Sequence, residues 1–350
     1  MKDWRETLIG PTATIHQAIK AIDSSSRQIA LVVDTQNQLL GTVTDGDIRR
    51  AILRGDDMNA PVGNVMKNEP HVAKESDSKE RLLSRMASES VRQFPLLDDD
   101  GRVTGLVYID DLMSPAEKRD NWVVIMAGGL GKRLRPLTDS APKPLLPVGD
   151  KPLMETIVEG FLEHEFRQFY ISVNYKAEMI KEHFGDGEKW NATIRYIHED
   201  QPLGTAGALR LIKDRPEAPI IVMNADLLTR VNFQHLLDYH REHKARATMC
   251  VREYDFQVPF GVVKIADNRI TGIDEKPLHS FFVNAGIYVL DPELIDLIPE
   301  DEFFDMTTLF EAVIAADYNT TVFPIREYWI DVGRINELNQ ANGDFGKEFK

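Results

Sequence analysis

Apolar positions along the chain follow two rhythms. In the first, short apolar runs pair across polar turns: residues 29–34 lead into 39–48, and residues 94–98 lead into 103–112. Each unit predicts strand, turn, strand and helix, with an amphipathic helix ahead of it at 15–22 and at 79–86. Gly41 and Gly105 stand 64 positions apart, as do Asp47 and Asp111. A fixed period of that length marks a duplicated supersecondary unit, with repeats at about 5–57 and 63–115. The second rhythm begins at Trp122, where apolar strands alternate with amphipathic helices. That alternation predicts an α/β domain with a mixed, mostly parallel sheet over 122–350. Its predicted strands are 123–126, 169–173, 193–198, 220–224, 247–252, 261–265, 283–290 and 321–324. Helices are expected between them, including 154–164 and 233–244, with a short helix after Gly333. The polar, proline-containing stretch 116–121 reads as a linker.

Composition narrows the classes. The 350 residues are 43% hydrophobic and 28% charged, as in a soluble globular protein. A net charge of −15 argues against nucleic acid or an anionic membrane as partner. Any phosphate site is therefore a local cationic pocket in an acidic protein. Cys250 is the single cysteine and lies in the apolar stretch 247–251, so a buried strand position in a reducing compartment is expected. The first residues carry no apolar core of a signal peptide, and no stretch is long enough to span a bilayer. A cytoplasmic protein is expected.

Candidate chemistry centres on residues 126–138. The run Trp122-Val123-Val124-Ile125 ends in Ala127-Gly128-Gly129-Leu130-Gly131-Lys132-Arg133, and Pro142-Lys143-Pro144 follows. A strand, a glycine loop whose backbone can approach a ligand, and fixed cations describe a polyphosphate site. The string is neither the dinucleotide fingerprint nor the GxxxxGK[ST] loop. A second apolar strand ends in Asn224-Ala225-Asp226, and Trp329-Ile330-Asp331-Val332-Gly333 brings another aspartate late in the chain. Ligands of open α/β sheets bind beyond the carboxyl ends of strands, where such carboxylates can hold Mg²⁺ against phosphate oxygens. No Ser/His/Asp triad, Cys/His pair or metal-spaced histidine cluster has comparable context.

The string GGxGxRxxPxT followed by PKPLLPV resembles the signature of the sugar-1-phosphate nucleotidyltransferases, over about 122–340. That resemblance implies a glycosyltransferase-A-like, Rossmann-like domain that joins a nucleoside triphosphate to a sugar-1-phosphate with Mg²⁺. It gives Ala127, Gly128, Gly129 and Gly131 to the nucleotide, Arg133 and Lys143 to the phosphates, and Asp226 and Asp331 to the metal. Asp274-Glu275-Lys276-Pro277 matches the family's E-K-P element, with Glu275 on sugar hydroxyls and Lys276 on the sugar phosphate. Gly261 and Asn284 lie in segments resembling the family's sugar side. Residues 198–209 resemble the base-reading loop and the helix after it, with Glu199 where the family reads the base edge and Gly204 within the loop. A carboxylate accepts well from the adjacent N1–H and N2–H₂ of guanine and poorly from uracil or thymine. GTP is therefore favoured over UTP or TTP, with Glu199 pointing to solvent and backbone amides near Gly204 reading the base as the other reading.

The first 115 residues resemble a tandem pair of CBS domains, a regulatory module that often binds adenine nucleotides or related ligands and often dimerises. Gly41, Thr44 and Asp47 meet that family's ligand motif, which implies an adenine or guanine nucleotide there. In the second unit Tyr108 replaces the hydroxyl residue while Asp111 is kept. The other reading is a dimerisation module in which Asp47 caps the helix before Ile48. The CBS pair joined to this transferase resembles the guanylyltransferases acting on glucosamine-1-phosphate in bacterial legionaminic acid synthesis. Mannose-1-phosphate and heptose-1-phosphate are the alternative acceptors, and a homo-oligomer dimerising through the CBS modules is implied. A non-catalytic nucleotide sensor is the reading from another class, and retention of Arg133, Lys143, Asp226 and Asp331 argues against it.

Overall fold

The computed structural model describes residues 4–25, 27–112 and 120–349. The chain divides into two compact units, Met1–Glu117 and Lys118–Lys350. Most of the expected linker at 116–121 falls on residues 113–119, outside the described residues.

The first unit contains the repeat. It runs β1 (Leu8–Ile9), α1 (Ile15–Ser25), β2 (Ile29–Val33), β3 (Leu39–Thr44), α2 (Asp45–Arg54), then β4 (Ala73–Lys74), α3 (Lys79–Glu89), β5 (Gln93–Leu97), β6 (Val103–Tyr108) and α4 (Ile109–Leu112). Sheets β1-β2-β3 and β4-β5-β6 share one pattern, a parallel pair followed by an antiparallel pair. Even the register shift recurs, after Val32 opposite Gly41 and after Leu96 opposite Gly105. Alternation along β2 explains its double burial. Ala30 and Val32 pack with Ile15, Ala18 and Ile22 of α1, while Ile29, Leu31 and Val33 pack with Val103 and Leu97 of the other repeat.

The second unit contains β7 (Trp122–Met126), β8 (Pro147–Val148), β9 (Lys151–Pro152), α5 (Leu153–Glu163), β10 (Gln168–Val173), α6 (Ala177–Phe184), β11 (Thr193–His198), β12 (Ile220–Asn224), β13 (Leu227–Thr229), α7 (Phe233–Glu242), β14 (Ala247–Gln257), β15 (Val262–Ala266), β16 (Arg269–Asp274), β17 (Leu278–Leu290), α8 (Met306–Ala315), β18 (Thr320–Ile325), β19 (Trp329–Asp331) and α9 (Ile335–Glu348). Seven strands form one sheet in the order β11-β10-β7-β12-β17-β14-β18. Its pairs are parallel except around β17, which is antiparallel to β12 and β14.

Helices cover both faces of this sheet, and strand alternation sorts its residues between them. Val123, Ile125, Ile221 and Met223 meet Ile157 and Phe161 of α5, Ile180 of α6 and Leu236 of α7. Val124, Ile220 and Val222 meet Leu209, Ile295 and residues Met306, Leu309 and Val313 of α8. Complete burial of such side chains contributes about 1.5–3 kcal/mol each. The layered core leaves the carboxyl ends of β7, β10 and β12 together at one edge. Cys250 is buried on β14, as its apolar context predicts. No helix among the described residues is long and apolar enough to cross a membrane.

Four elements differ from the sequence expectation. β14 and β17 run past 252 and start before 283 because they leave the sheet as a two-stranded ribbon, pairing Glu253 with Phe282 through Gln257 with Leu278. Acidic and polar residues on that solvated ribbon break the apolar pattern that marks a strand. At its end β15 pairs with β16, a strand the apolar pattern does not mark out. The helix after Gly333 is not short: α9 has 14 residues, held by Leu338, Ala341 and Phe345.

One buried histidine sets a pH dependence. His240 of α7 lies 2.8 Å from Thr248 Oγ1 and 3.2 Å from Asp291 Oδ1. Burial lowers its pKa below the ordinary value, and nearby Arg241 and Arg246 add to this, against the opposing pull of Asp291. The unfolded chain then binds a proton at a higher pH than the folded chain. The stabilisation is fully present above pH ~6.5 and is lost as pH falls towards the lowered value. Melting temperature is expected to drop between pH 7 and 5, and His240→Gln to flatten that slope in the same thermal melts. An unchanged slope would remove His240 as its source.

Candidate functional site

β7 delivers the chain into the glycine loop at the edge where three strands end. Ala127 N–H donates to Ser172 O at 3.0 Å, which fixes the start of the loop to β10. Gly131 adopts φ +60°, and Thr138 Oγ1 donates to its carbonyl at 3.0 Å, so the loop closes on itself. A side chain at Gly131 would meet Thr138 Cγ2 at 2.8 Å. Buried Leu134 anchors the turn that presents Arg133, and buried Pro144 anchors the turn that presents Lys143.

Lys143 Nζ donates to Asp226 Oδ2 at 2.5 Å. Asp226 stands in the tight turn between β12 and β13. β13 pairs antiparallel with β19, placing Leu227 opposite Asp331, and Val332 N–H donates to Asp226 O at 2.9 Å. That register brings together two aspartates more than a hundred positions apart. Asp331 Oδ1 is buried without a hydrogen-bond partner. Burial, reinforced by the Asp226 charge, raises the Asp331 pKa, while Lys143 and Arg133 pull it back. Both Arg133 Nη atoms lie 3.4 Å from where a Gly333 Cβ would stand, so the guanidinium rests on the turn after Asp331. Arg133, Lys143, Asp226 and Asp331 thus form one cluster beside the glycine loop.

The cluster fits Mg²⁺. Two carboxylates, one with a buried oxygen that lacks a donor, are hard oxygen ligands in the number Mg²⁺ takes from protein while keeping waters. No group of three or more His, Cys, Asp or Glu side chains suited to a metal occurs among the described residues. A two-carboxylate site completed by phosphate oxygens needs none.

Glu199 does not point to solvent, which corrects the second of the two sequence readings. It continues β11, and the residue is only 4% exposed. Oε1 accepts from Ser172 Oγ, Oε2 accepts from Leu203 N–H at 3.1 Å, and a Gly128 Cβ would stand 2.5 Å from Oε1. The carboxylate is therefore bonded to β10 and to the loop after β11, and lies against the glycine loop at Gly128. Gly204 adopts φ +80° against Phe304 O, and the N–H groups of Ala206 and Gly207 both donate to that carbonyl. Ser172, which sequence reasoning missed, carries no motif signal because it reads as one more strand residue.

The expected sugar side is a separate group. Glu275 Oε2 lies 2.9 Å from the position of a Gly261 Cβ, at the base of the β15–β16 hairpin. Lys276 is exposed and has φ +47°. Asn284 spends its amide within β17, donating to Tyr288 Oη at 2.8 Å and accepting from Gly286 N–H at 2.9 Å. Among the described residues no hydrogen bond or ion pair links Gly261, Glu275, Lys276 or Asn284 to the carboxylate cluster.

In the first unit Thr44 and Asp47 satisfy one another. Thr44 is the N-cap of α2 and Asp47 its third residue, in a reciprocal capping box, with Arg50 donating to Asp47 Oδ1 at 2.6 Å. This corrects the reading of Asp47 as the cap itself, since the hydroxyl three residues earlier has that role. Asp111 of the second repeat pairs with Arg27 of the first at 2.7 Å. Tyr108 accepts from Arg92 Nε at 3.2 Å.

The profile of the nucleotidyl transferase family matches residues 122–348. The chain belongs to that family. The CBS domain profile matches residues 6–54 and 62–116, so a tandem CBS pair precedes the nucleotidyl transferase region. A mannose-1-phosphate guanyltransferase of Yarrowia lipolytica is 32% identical over 229 residues, 61% of each chain. A UTP–glucose-1-phosphate uridylyltransferase of Synechocystis sp. is 31% identical over 248 residues, 65% of this chain and 64% of that one. This nucleotidyl transferase therefore spans about three fifths of the length of the curated relatives it matches. The crystal structure of HddC from Yersinia pseudotuberculosis superimposes with a TM-score of 0.51 at 26% identity, covering 64% of this chain and 99% of HddC.

Proposed function

We propose that this nucleotidyl transferase moves a guanylyl group from GTP to a hexose-1-phosphate, giving a GDP-sugar and pyrophosphate. The observation that carries this reading is the meeting of Arg133, Lys143, Asp226 and Asp331 beside the glycine loop. A sugar phosphate with a second pKa near ~6 is mostly dianionic at neutral pH, so its oxygen attacks the α-phosphorus without a general base. A new P–O bond forms, the α–β bridging bond breaks, and pyrophosphate leaves in line. What the protein supplies is position and charge. Ala127, Gly128, Gly129 and Gly131 take the nucleotide, and Arg133 and Lys143 take phosphate oxygens. Asp226 and Asp331 would hold Mg²⁺, which supplies further neutralisation of phosphate charge. Glu275 and Lys276, with Gly261 and Asn284, serve the sugar phosphate.

Support for GTP comes from the guanyltransferase relatives. Glu199 stays on the base side, each oxygen keeping a lone pair, but its engagement by Ser172 and Leu203 weakens the argument from guanine donors alone. The CBS pair favours glucosamine-1-phosphate as acceptor. The relatives favour mannose-1-phosphate as the second reading, and one favours UTP as an alternative donor. In this proposal residues 1–115 form the regulatory module, 116–121 the linker and 122–350 the catalytic domain of a cytoplasmic homodimer. Thr44 and Asp47 would receive a nucleotide there by exchanging their mutual bonds and the Arg50 contact for the ligand.

Pyrophosphate release tests the reading, crossing GTP, UTP, TTP, CTP and ATP with glucosamine-1-phosphate, mannose-1-phosphate, N-acetylglucosamine-1-phosphate and glucose-1-phosphate. Turnover with GTP and one hexose phosphate is expected. Turnover confined to UTP or TTP would overturn the choice of base, and silence across the grid would overturn the activity.

A further inference from the structure

An open cavity of about 430 Å³ is lined by Arg133, Arg334, Ile335 and Asn336. Neither guanidinium has a hydrogen-bond or ion-pair partner among the described residues. This is unusual in the chain: Arg27, Arg49, Arg50, Arg54, Arg85, Arg195 and Arg210 each hold a carboxylate. The protein has a net charge of −15, yet two unpaired cations share one cavity. An anion held between them would be attracted by both.

The position of the cavity identifies the anion. Arg133 touches two places at once. On one side its charge lowers the pKa of Asp331, so it lies within electrostatic reach of the carboxylates. On the other it lines the cavity with Arg334, which follows Gly333 directly. The Arg133 guanidinium rests against that turn at van der Waals distance from Gly333. Arg334 is the N-cap residue of α9 and makes no side-chain cap bond, so its side chain is not consumed by the helix. Pro144 and Leu134 fix the turns of Lys143 and Arg133 from below.

We propose that Arg334 is a further binding residue of the reaction, gripping the terminal two phosphates of the nucleoside triphosphate and then the departing pyrophosphate. The inference rests on the transferase reading above and deepens it. With the α-phosphate at the carboxylate cluster, a chain of two more phosphates reaches past Arg133 into the cavity. Each guanidinium offers a planar fork that matches phosphate oxygens two at a time. When the sugar phosphate attacks, the bridging P–O bond breaks and its electron pair stays on the β-phosphate oxygen. The added charge of pyrophosphate develops between Arg133 and Arg334. Arg334 therefore contacts the leaving group and has no contact with the sugar.

The test uses the full chain with inorganic pyrophosphate as probe. Arg334→Gln is expected to weaken inhibition by pyrophosphate and to raise the KM for the nucleotide, each by roughly ten- to a hundredfold, as for loss of one charge-assisted pair. The KM for the sugar phosphate stays unchanged, and Arg334→Lys recovers part of the loss by restoring charge without the fork. Arg334 is exposed, so folding is not at stake. Equal pyrophosphate inhibition in the wild type and Arg334→Gln would overturn the assignment. So would a raised KM for the sugar phosphate with pyrophosphate unaffected, which would give the cavity to the acceptor. Calorimetric titration of pyrophosphate with Mg²⁺ separates this inference from the activity. Binding by the wild type that Arg334→Gln loses supports the site even where no acceptor turns over, and absent or equal binding overturns it.

Discussion

Asp226→Asn is expected to lower turnover by roughly a thousandfold, the scale of losing one charged group that acts on the transition state. The substitution keeps shape and volume. Asparagine can still accept a hydrogen bond from Lys143, so the turn between β12 and β13 and the bond from Val332 remain. What disappears is one negative charge from a pair held together by the β13–β19 register. The positive charges of Lys143 and Mg²⁺ are then balanced by Asp331 alone of the pair, so the metal is held less tightly. The measurement is pyrophosphate release over a range of Mg²⁺ concentrations, beside a thermal melt. A loss that high Mg²⁺ partly repairs, with an unchanged melting temperature, is the expected outcome. Near-wild-type turnover would remove Asp226 from the metal site.

The largest effect on stability is expected at Gly149, in the turn between β8 and β9. It adopts φ +67°, and an added Cβ would lie 2.1 Å from the Phe345 ring of α9. Its N–H also donates to Asn342 Oδ1 at 2.9 Å. Gly149→Ala meets a left-handed backbone penalty and an overpacked contact together, about 2–4 kcal/mol in all. The turn tip is exposed, so part of the strain is released by moving α9 outward. Melting temperature is expected to fall, and amide exchange to accelerate in α9 before the main sheet. Uniform exchange across the unit would show that α9 is not the element displaced.

Much of this was legible from residue pattern. Strands 193–198 and 220–224 are found at the expected limits because both are short and bounded by turn residues, the second a continuous apolar run and the first carrying Ile194, Tyr196 and Ile197 among polar positions. The repeat was visible as a spacing of 64, and the same spacing separates the two register shifts. The glycine loop, Lys143 and both aspartates could be named because each sits in a compact string of unusual residues. Their meeting could not, since it depends on β13 and β19, three-residue strands far apart in sequence. Glu199 could be located but not oriented, because its partner Ser172 is an ordinary strand residue on a neighbouring strand. Arg334 had a signal, a cation immediately after the W-x-D-x-G string, but an exposed arginine at a helix start is usually solvated. Only the cavity and the absence of a partner distinguish it.

Burial of Cys250 gives the chain a practical property. It is the single cysteine and is fully covered within β14, where the packed surroundings keep reagents out. A cysteine introduced at an exposed position would be the one accessible thiol in the native protein. A fluorophore or spin label could then be attached at the ribbon tip or on the outer face of α9 without first removing Cys250. Movement of either element during turnover could be followed in the otherwise natural sequence.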